Sequence, residues 1–268
     1  MPKQGGEIRV GTSAFTAAGW EGSFYPSGMK PADFLTSYAT RFNTVEVDST
    51  YYRTPSASTV RGWATKTPDN FIFALKVPQQ ITHEKVLVDC EKDFENFVEV
   101  MSGLGKKLGP MLLQFPYFSR AKFKTGAEFT ARLQPFLKKL PKGYKFAVEI
   151  RNKNWLDASF ADLLRVYGVA LAVIDQAWMP TIDEVTSNLN PITADFCYVR
   201  WLGDRKGIEL QTKVWDKTII DRRPALIKWV KFLHSILHKT DIYAYANNHY
   251  AGNGPATVEL FKELWDKQ

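Results

Sequence analysis

Phe146-Ala147-Val148-Glu149-Ile150-Arg151 is a short apolar run that closes on charged side chains, and seven other stretches repeat its form. They are Ile8 to Ser13, Thr44 to Asp48, Phe71 to Lys76, Met111 to Gln114, Val169 to Asp175, Phe196 to Trp201 and Ile242 to Asn248. Most are followed by apolar residues at helical spacing. Phe94, Phe97, Val98, Met101, Leu104 and Leu108 follow the third run, Phe129, Leu133, Phe136, Leu137 and Leu140 the fourth, and Leu226, Trp229, Val230, Leu233 and Leu237 the seventh. Alternation of strand and helix calls for a parallel sheet, because parallel neighbours need a crossover of roughly a dozen residues or more. Eight such units predict an α/β fold, the TIM (β/α)8 barrel, in which strand C-termini gather residues from Ser13 to Asn248 at one rim.

The chain has 268 residues, which suits one barrel of roughly 250 residues, so 1–268 reads as a single domain. The sixth helix is expected to be short or missing, because Trp178 to Asp195 holds Pro180 and Pro191 and little periodicity. No apolar run approaches the ~20 residues of a membrane helix. Met1 to Glu7 is short and polar, unlike a secretion signal. A soluble, cytoplasmic protein without a membrane partner is the expectation. Cys90 and Cys197 are the only cysteines, too few for a disulfide framework or a zinc set, and read as free thiols. The formal charge of +7 favours an acidic partner, either nucleic acid or a small anionic substrate.

Two loops over the predicted rim stand out. Ser13 to Lys30 holds Phe15, Trp20, Phe24 and Tyr25, aromatics that either stack on a flat ligand or fold inward as a plug. Pro78 to Lys92 places His83 just beyond the third strand. Several motifs then combine: Arg9-Val10-Gly11-Thr12-Ser13, Trp20 to Pro26, Thr44 to Tyr52 (with Tyr51), Ile81-Thr82-His83, Gln114-Phe115-Pro116, Val148 to Arg151 with Trp155, Tyr198-Val199-Arg200 and Asn247-Asn248. Together they resemble the YecE-like domain-of-unknown-function family along nearly the whole chain. The resemblance implies a TIM barrel and supplies no reaction. Phe15 stands where tryptophan is expected, Asp48 where asparagine is common, and Ala246 where an aromatic is usual.

Glu46, Asp48, Lys76, Glu149, Arg151, Asp175 and Arg200 each fall at or within two residues of a strand end. Strand side chains alternate, so Glu46 shares a face with Asp48, and Glu149 with Arg151. Charges inside a barrel are costly unless paired or solvated, so the acids and bases there must balance. In the catalytic reading the acting set is Glu149, Lys76, Glu46 and His83. Glu149 is a candidate general base or nucleophile, His83 or His249 a proton exchanger, and Lys76 with Arg200 a clamp on anionic charge. Lys76 also suits a Schiff base. The substrate contacts are expected from Arg200, Asn247, Asn248, Arg151, Tyr51, Gln114 and Trp20.

The loops after strands seven and eight contain Gly203-Asp204-Arg205-Lys206-Gly207 and Asn247 to Pro255. TIM barrels frequently hold phosphate at these loops, on backbone N–H groups of a helix N-terminus. No cofactor is expected: Gly252-Asn253-Gly254 lacks the third glycine of a dinucleotide turn. With four histidines, two of them (His234, His238) on an outer helix, a His-rich metal centre is disfavoured. An oxygen-rich site for magnesium or manganese on Glu46, Glu149 and Asp175 stays open. The leading expectation is a hydrolase or acid–base enzyme for a phosphorylated or otherwise anionic sugar- or nucleotide-like substrate. The alternatives are a nucleic-acid-binding protein with a basic, aromatic rim and no catalysis, and a barrel whose mouth is closed by salt bridges.

Overall fold

Because successive side chains of a strand point to opposite faces, each apolar run supplies one surface to the barrel interior and one to the surrounding helices. The computed structural model describes residues 5–267. Residues 1–4, part of the polar stretch Met1 to Glu7 read above, and residue 268 lie outside the described residues. The strands are β1 (Ile8–Thr12), β2 (Thr44–Val47), β3 (Ile72–Lys76), β4 (Leu108–Gln114), β5 (Phe146–Glu149), β6 (Ala170–Gln176), β7 (Phe196–Gly203) and β8 (Asp241–Ala246). All pair in parallel, in the order β1-β8-β7-β6-β5-β4-β3-β2. The helices are α1 (Phe34–Tyr38), α2 (Ala57–Thr65), α3 (Glu91–Ser102), α4 (Gly126–Lys138), α5 (Ala158–Val166), α6 (Ile182–Asn188), α7 (Arg205–Glu209), α8 (Arg223–Leu237), α9 (Asn248–Ala251) and α10 (Gly254–Trp265). This is a nearly closed TIM-like α/β barrel.

Helix starts follow local chemistry. Ser56, Thr125 and Asp157 each accept the N–H three residues on, which satisfies a donor left open by the first turn of α2, α4 and α5. The sixth helix is short, as expected, at seven residues. It exists because Thr181 and Glu184 form a reciprocal capping box just after Pro180.

Parity decides what fills the barrel. On β7, Cys197, Val199 and Trp201 face the helices, and Phe196, Tyr198 and Arg200 face inward. Ala74, Ala147, Ala170 and Ala172 on β3, β5 and β6 stand against Phe196, Tyr198, Tyr243 and Tyr245 from β7 and β8. Small side chains on one wall make room for rings from the other, which fills the interior at protein density.

The two ends of the strand order meet through a side chain. No backbone ladder joins β1 to β2 among the described residues. Instead the buried Tyr38 hydroxyl accepts the Thr12 N–H (2.9 Å) and donates to the Thr44 carbonyl (3.1 Å). Gly11 lets the strands approach, since a Cβ there would lie 2.1 Å from Thr44 O. Replacing Tyr38 by Phe strands both buried backbone groups, and the expected loss of stability in urea is about 1–3 kcal/mol. A loss under about 0.5 kcal/mol, the scale of a neutral surface change, would mean that the seam does not depend on this hydroxyl.

Candidate functional site

The same parity that places Tyr198 inside the barrel places Arg200 one step higher on the same face, and it does so for Glu46, Lys76 and Glu149 on β2, β3 and β5. These four side chains converge at the C-terminal end. Arg200 Nη2 lies 2.7 Å from Glu46 Oε1, and Nη1 donates to Glu149 Oε2 at 2.8 Å. Glu149 Oε1 also takes Arg151 at 2.5 Å, and Arg151 Nη1 reaches Gln176 Oε1 at 2.5 Å. Tyr198 donates its hydroxyl proton to Glu46 Oε2 at 2.6 Å. Lys76 Nζ pairs with Asp48 Oδ1 at 2.9 Å and sits 4.3 Å from the centre of the Tyr51 ring. Thr50 fixes the lysine's backbone: its hydroxyl accepts the Lys76 N–H at 3.0 Å and donates to the Lys76 carbonyl at 2.7 Å.

Three carboxylates, Glu46, Asp48 and Glu149, therefore face three cations, Lys76, Arg151 and Arg200. Glu46 and Glu149 are wholly buried, and Asp48 retains 38% of its side-chain exposure. Burial, reinforced by the Asp48 charge, raises the Glu46 carboxyl above its ordinary range despite Arg200. Burial pushes Glu149 the same way, but the combined guanidinium charges of Arg151 and Arg200 outweigh it and hold Glu149 low. Burial disfavours the Arg200 cation, yet its two carboxylate partners more than compensate and keep it firmly protonated. Two glutamates on one arginine are thus pushed in opposite directions by their surroundings.

Above this cluster opens a cavity of ≈ 240 Å³. Its wall includes Asp48, Tyr51, Lys76, Gln114, Arg151 and Arg200, together with Gln176, Arg205, Asn247 and His249. Of the residues singled out from the sequence, Lys76, Arg151, Arg200, Tyr51, Gln114 and Asn247 come together here. Glu46 and Glu149 lie beneath, holding the cations rather than facing the cavity. Gln176 and Thr50 were not singled out. Parity along β6 carried the signal for Gln176, since Ala170 and Ala172 face inward and the same alternation reaches residue 176.

Several expected contacts are elsewhere. Trp20 is buried with Phe24 and Tyr25 against Phe34, Tyr38 and Phe42, an aromatic cluster beside α1 rather than a platform over the mouth. Its indole donates to Asn248 Oδ1 (3.1 Å), which also receives the Gly254 N–H (2.8 Å). Asn248 is thereby engaged, and with Asn253 capping Ala256 the first turn of α10 already has partners for these N–H groups. That helix start is no open phosphate seat. Asp175 turns outward and accepts from Trp229 Nε1 and the Tyr250 hydroxyl. Glu46, Glu149 and Asp175 therefore do not share a site, and among the described residues no trio of His, Cys, Asp or Glu is grouped to hold a metal ion.

The histidines are also constrained. His83 rides on a single π-helical turn, Gln80–Glu84, with Nδ1 2.8 Å from Thr82 Oγ1. Burial and the nearby Lys76 and Arg151 charges push it down to about 4, which favours the neutral ring near pH 7. His249 has Asn247 Oδ1 at Nδ1 (2.5 Å) and Glu209 Oε1 at Nε2 (2.9 Å), which leaves neither nitrogen open to a substrate. The short α7 that carries Arg205 is tied down through that Glu209 contact. Cys90 and Cys197 are free and buried.

Glu149 has a lowered folded-state pKa, so the unfolded chain binds the extra proton first as the pH falls. Its contribution to stability is present above its ordinary value of 4.5 and is lost as the pH drops through the folded-state value. Glu149→Gln is expected to cost about 3 kcal/mol or more near neutral pH, as for a broken buried ion pair. In denaturant titrations across pH that cost should shrink in acid. A cost that stays flat through the acid range would contradict the charge assignment.

A family model described as "Protein of unknown function DUF72" matches residues 9–268. The Escherichia coli (strain K12) protein YecE is 35% identical over 121 residues, a stretch that covers 45% of this chain and 42% of that relative. YunF of Bacillus subtilis (strain 168) is 24% identical over 269 residues, covering 92% of this chain and 93% of its own. Among solved structures, a DUF72 family protein from Thermotoga maritima superposes with a TM-score of 0.75 at 27% identity, covering 97% of this chain and 99% of that one. A methyltransferase from Methanosarcina mazei, at 9% identity and a TM-score of 0.57 over 97% of this chain and 94% of its own, shares the fold alone. With a family model spanning all but the first eight residues, the chain belongs to the DUF72 family.

Proposed function

We propose that this protein is an enzyme that carries out acid–base chemistry on a small anionic, hydroxylated substrate, of which a sugar phosphate is the type. The observation that carries the reading is the composition of the cavity wall. Lys76 and Arg151 face a space of ≈ 240 Å³, and Leu202 is the lone aliphatic side chain among its lining residues. That space is below the range of about 300–1,000 Å³ usual for drug-sized ligands, so it suits a monosaccharide-sized molecule better than a dinucleotide.

Roles follow from exposure. An anionic group entering the cavity meets cations whose positions are already set by buried carboxylates, so little reorganisation accompanies binding. Glu149 and Glu46 are sealed beneath Arg200 and act by holding it. The base role therefore passes to Asp48, the acid of the cluster with solvent access. Asp48 takes a proton from a substrate hydroxyl or from water, and Lys76, 2.9 Å away, balances the charge that the transfer moves.

A panel of sugar phosphates, sugar acids and mononucleotides tests this through melting temperature and turnover. A true ligand at a hundred times its Kd adds about 2.7 kcal/mol, or roughly 5–10 °C for a domain of this size. Lys76→Met is expected to lose both the shift and the turnover. Asp48→Asn should keep the shift and lose turnover by about 10²–10⁴-fold, the usual share of a general base. The reading fails if no anionic compound raises the melting temperature, or if Asp48→Asn turns over at the native rate.

A further inference from the structure

Seven large apolar side chains are exposed among the described residues, and their distribution is uneven. Tyr52, Val88, Tyr117, Trp178, Leu210 and Val214 all lie in loops that follow strands β2, β3, β4, β6 and β7, on the C-terminal side of the barrel. The seventh, Val166, ends α5 on the opposite side. Leu210 is 89% exposed, Tyr117 67% and Trp178 47%. Apolar side chains scattered singly over a surface need no explanation, but six of seven on the loops at one end of the barrel, Tyr52 among them at the cavity, mark that end as an interaction face.

Exposed cations stand beside two of these side chains, most clearly after Tyr117. Arg120, Lys122 and Lys124 follow Tyr117 in a stretch, 115–125, that contains no carboxylate, and all three are exposed. Lys206 and Lys213 flank Leu210, Arg205 is paired with Glu209, which His249 also engages, and the remaining nearby acids are Asp204 and Asp216.

From this arrangement we infer that the C-terminal face is a docking surface for an anionic lipid bilayer, with the cavity mouth turned toward the headgroups. Aromatic rings at the level of the headgroups, aliphatic side chains reaching past them and lysines and arginines pairing with anionic lipid are the components of interfacial membrane binding. The aliphatic members favour this partner over a nucleic acid. Leu210, Val88 and Val214 offer no ring on which a base stacks and no donor for its edge, whereas hydrocarbon accommodates them. No helix is long and apolar enough to cross a membrane among the described residues, so the contact is peripheral. Docking needs no turnover and stands apart from the proposed reaction. Its consequence for that reaction, access to an anionic headgroup, rests on the reading above.

The test is co-sedimentation of the whole chain with vesicles of phosphatidylcholine, with and without phosphatidylglycerol, at about 0.1 M salt, where charges act over roughly 10 Å. Binding is expected to the anionic vesicles, weakening as salt rises. A variant carrying Tyr117→Ser, Trp178→Ser and Leu210→Ser should partition at least about tenfold more weakly, with an unchanged circular dichroism spectrum and melting temperature. A second variant, Arg120→Glu with Lys122→Glu and Lys124→Glu, should lose the preference for anionic vesicles. The inference is overturned if the native chain ignores anionic vesicles, or if the triple serine variant binds them as well as the native chain. It is equally overturned if a single-stranded oligonucleotide binds through these residues and vesicles do not. The thermal-shift panel for small anions is independent of all these outcomes, so a failure of docking leaves the proposed reaction standing and the reverse also holds.

Discussion

Arg200 carries a positive charge into the barrel interior, where it is almost wholly buried, and the arrangement of the mouth follows from how that charge is met. Two carboxylates reach it from strands on either side of the ring, Glu46 on β2 and Glu149 on β5, so a single guanidinium spans the interior. Neither acid could be buried alone at tolerable cost, and neither could the arginine. Each further group serves the same balance. Tyr198 completes Glu46 from below, and Arg151 completes Glu149 from the side. Above Glu46 and Glu149 the Lys76–Asp48 pair, the Tyr51 ring and Arg151 line the cavity at the barrel mouth.

The cluster sits where it does because of the layer beneath it. Alanines on β3, β5 and β6 give up volume that Tyr198, Tyr245, Phe196 and Tyr243 take from the opposite wall. That filling removes a void from the barrel centre and brings the Tyr198 hydroxyl within reach of Glu46. Packing and electrostatics are therefore one structure: a smaller residue at 198 would leave both a hole and an acid with one partner fewer. The loops then add what strands cannot. Thr50 locks the end of β3 to the turn after β2, and Gln176 steadies Arg151 across two strands.

The barrel is legible in the sequence because most of the apolar runs close on or next to a polar side chain, as at Thr12, Lys76, Gln114 and Glu149, and because helical stripes such as Phe94, Phe97, Val98 and Met101 come between. The convergence of Glu46, Lys76, Glu149 and Arg200 followed from the fold alone. What stayed hidden was direction. Asp175 and Gln176 are neighbours on opposite faces of β6, and the linear sequence does not say which of the two faces is inner. The aromatic loop from Phe15 to Tyr25 was open to two readings, and only the presence of Phe34, Tyr38 and Phe42 on and beside α1 decides for burial. Depth was equally invisible: the letters at 46 and 48 are both acids, but one is sealed and the other meets solvent. The lowering of the His83 pKa comes from burial and from two cations that the linear sequence places seven residues before it and sixty-eight after it.

A last consequence concerns how the chain closes on itself. Among the described residues seven of the eight junctions in the ring are backbone ladders, and the junction between β1 and β2 is completed by a phenol borne on α1. The circumference therefore closes through a five-residue helix, like a strap drawn through a buckle rather than a ribbon rolled edge to edge. The Thr12 N–H is held at that junction by the Tyr38 hydroxyl, so hydrogen exchange at Thr12 reports on its integrity.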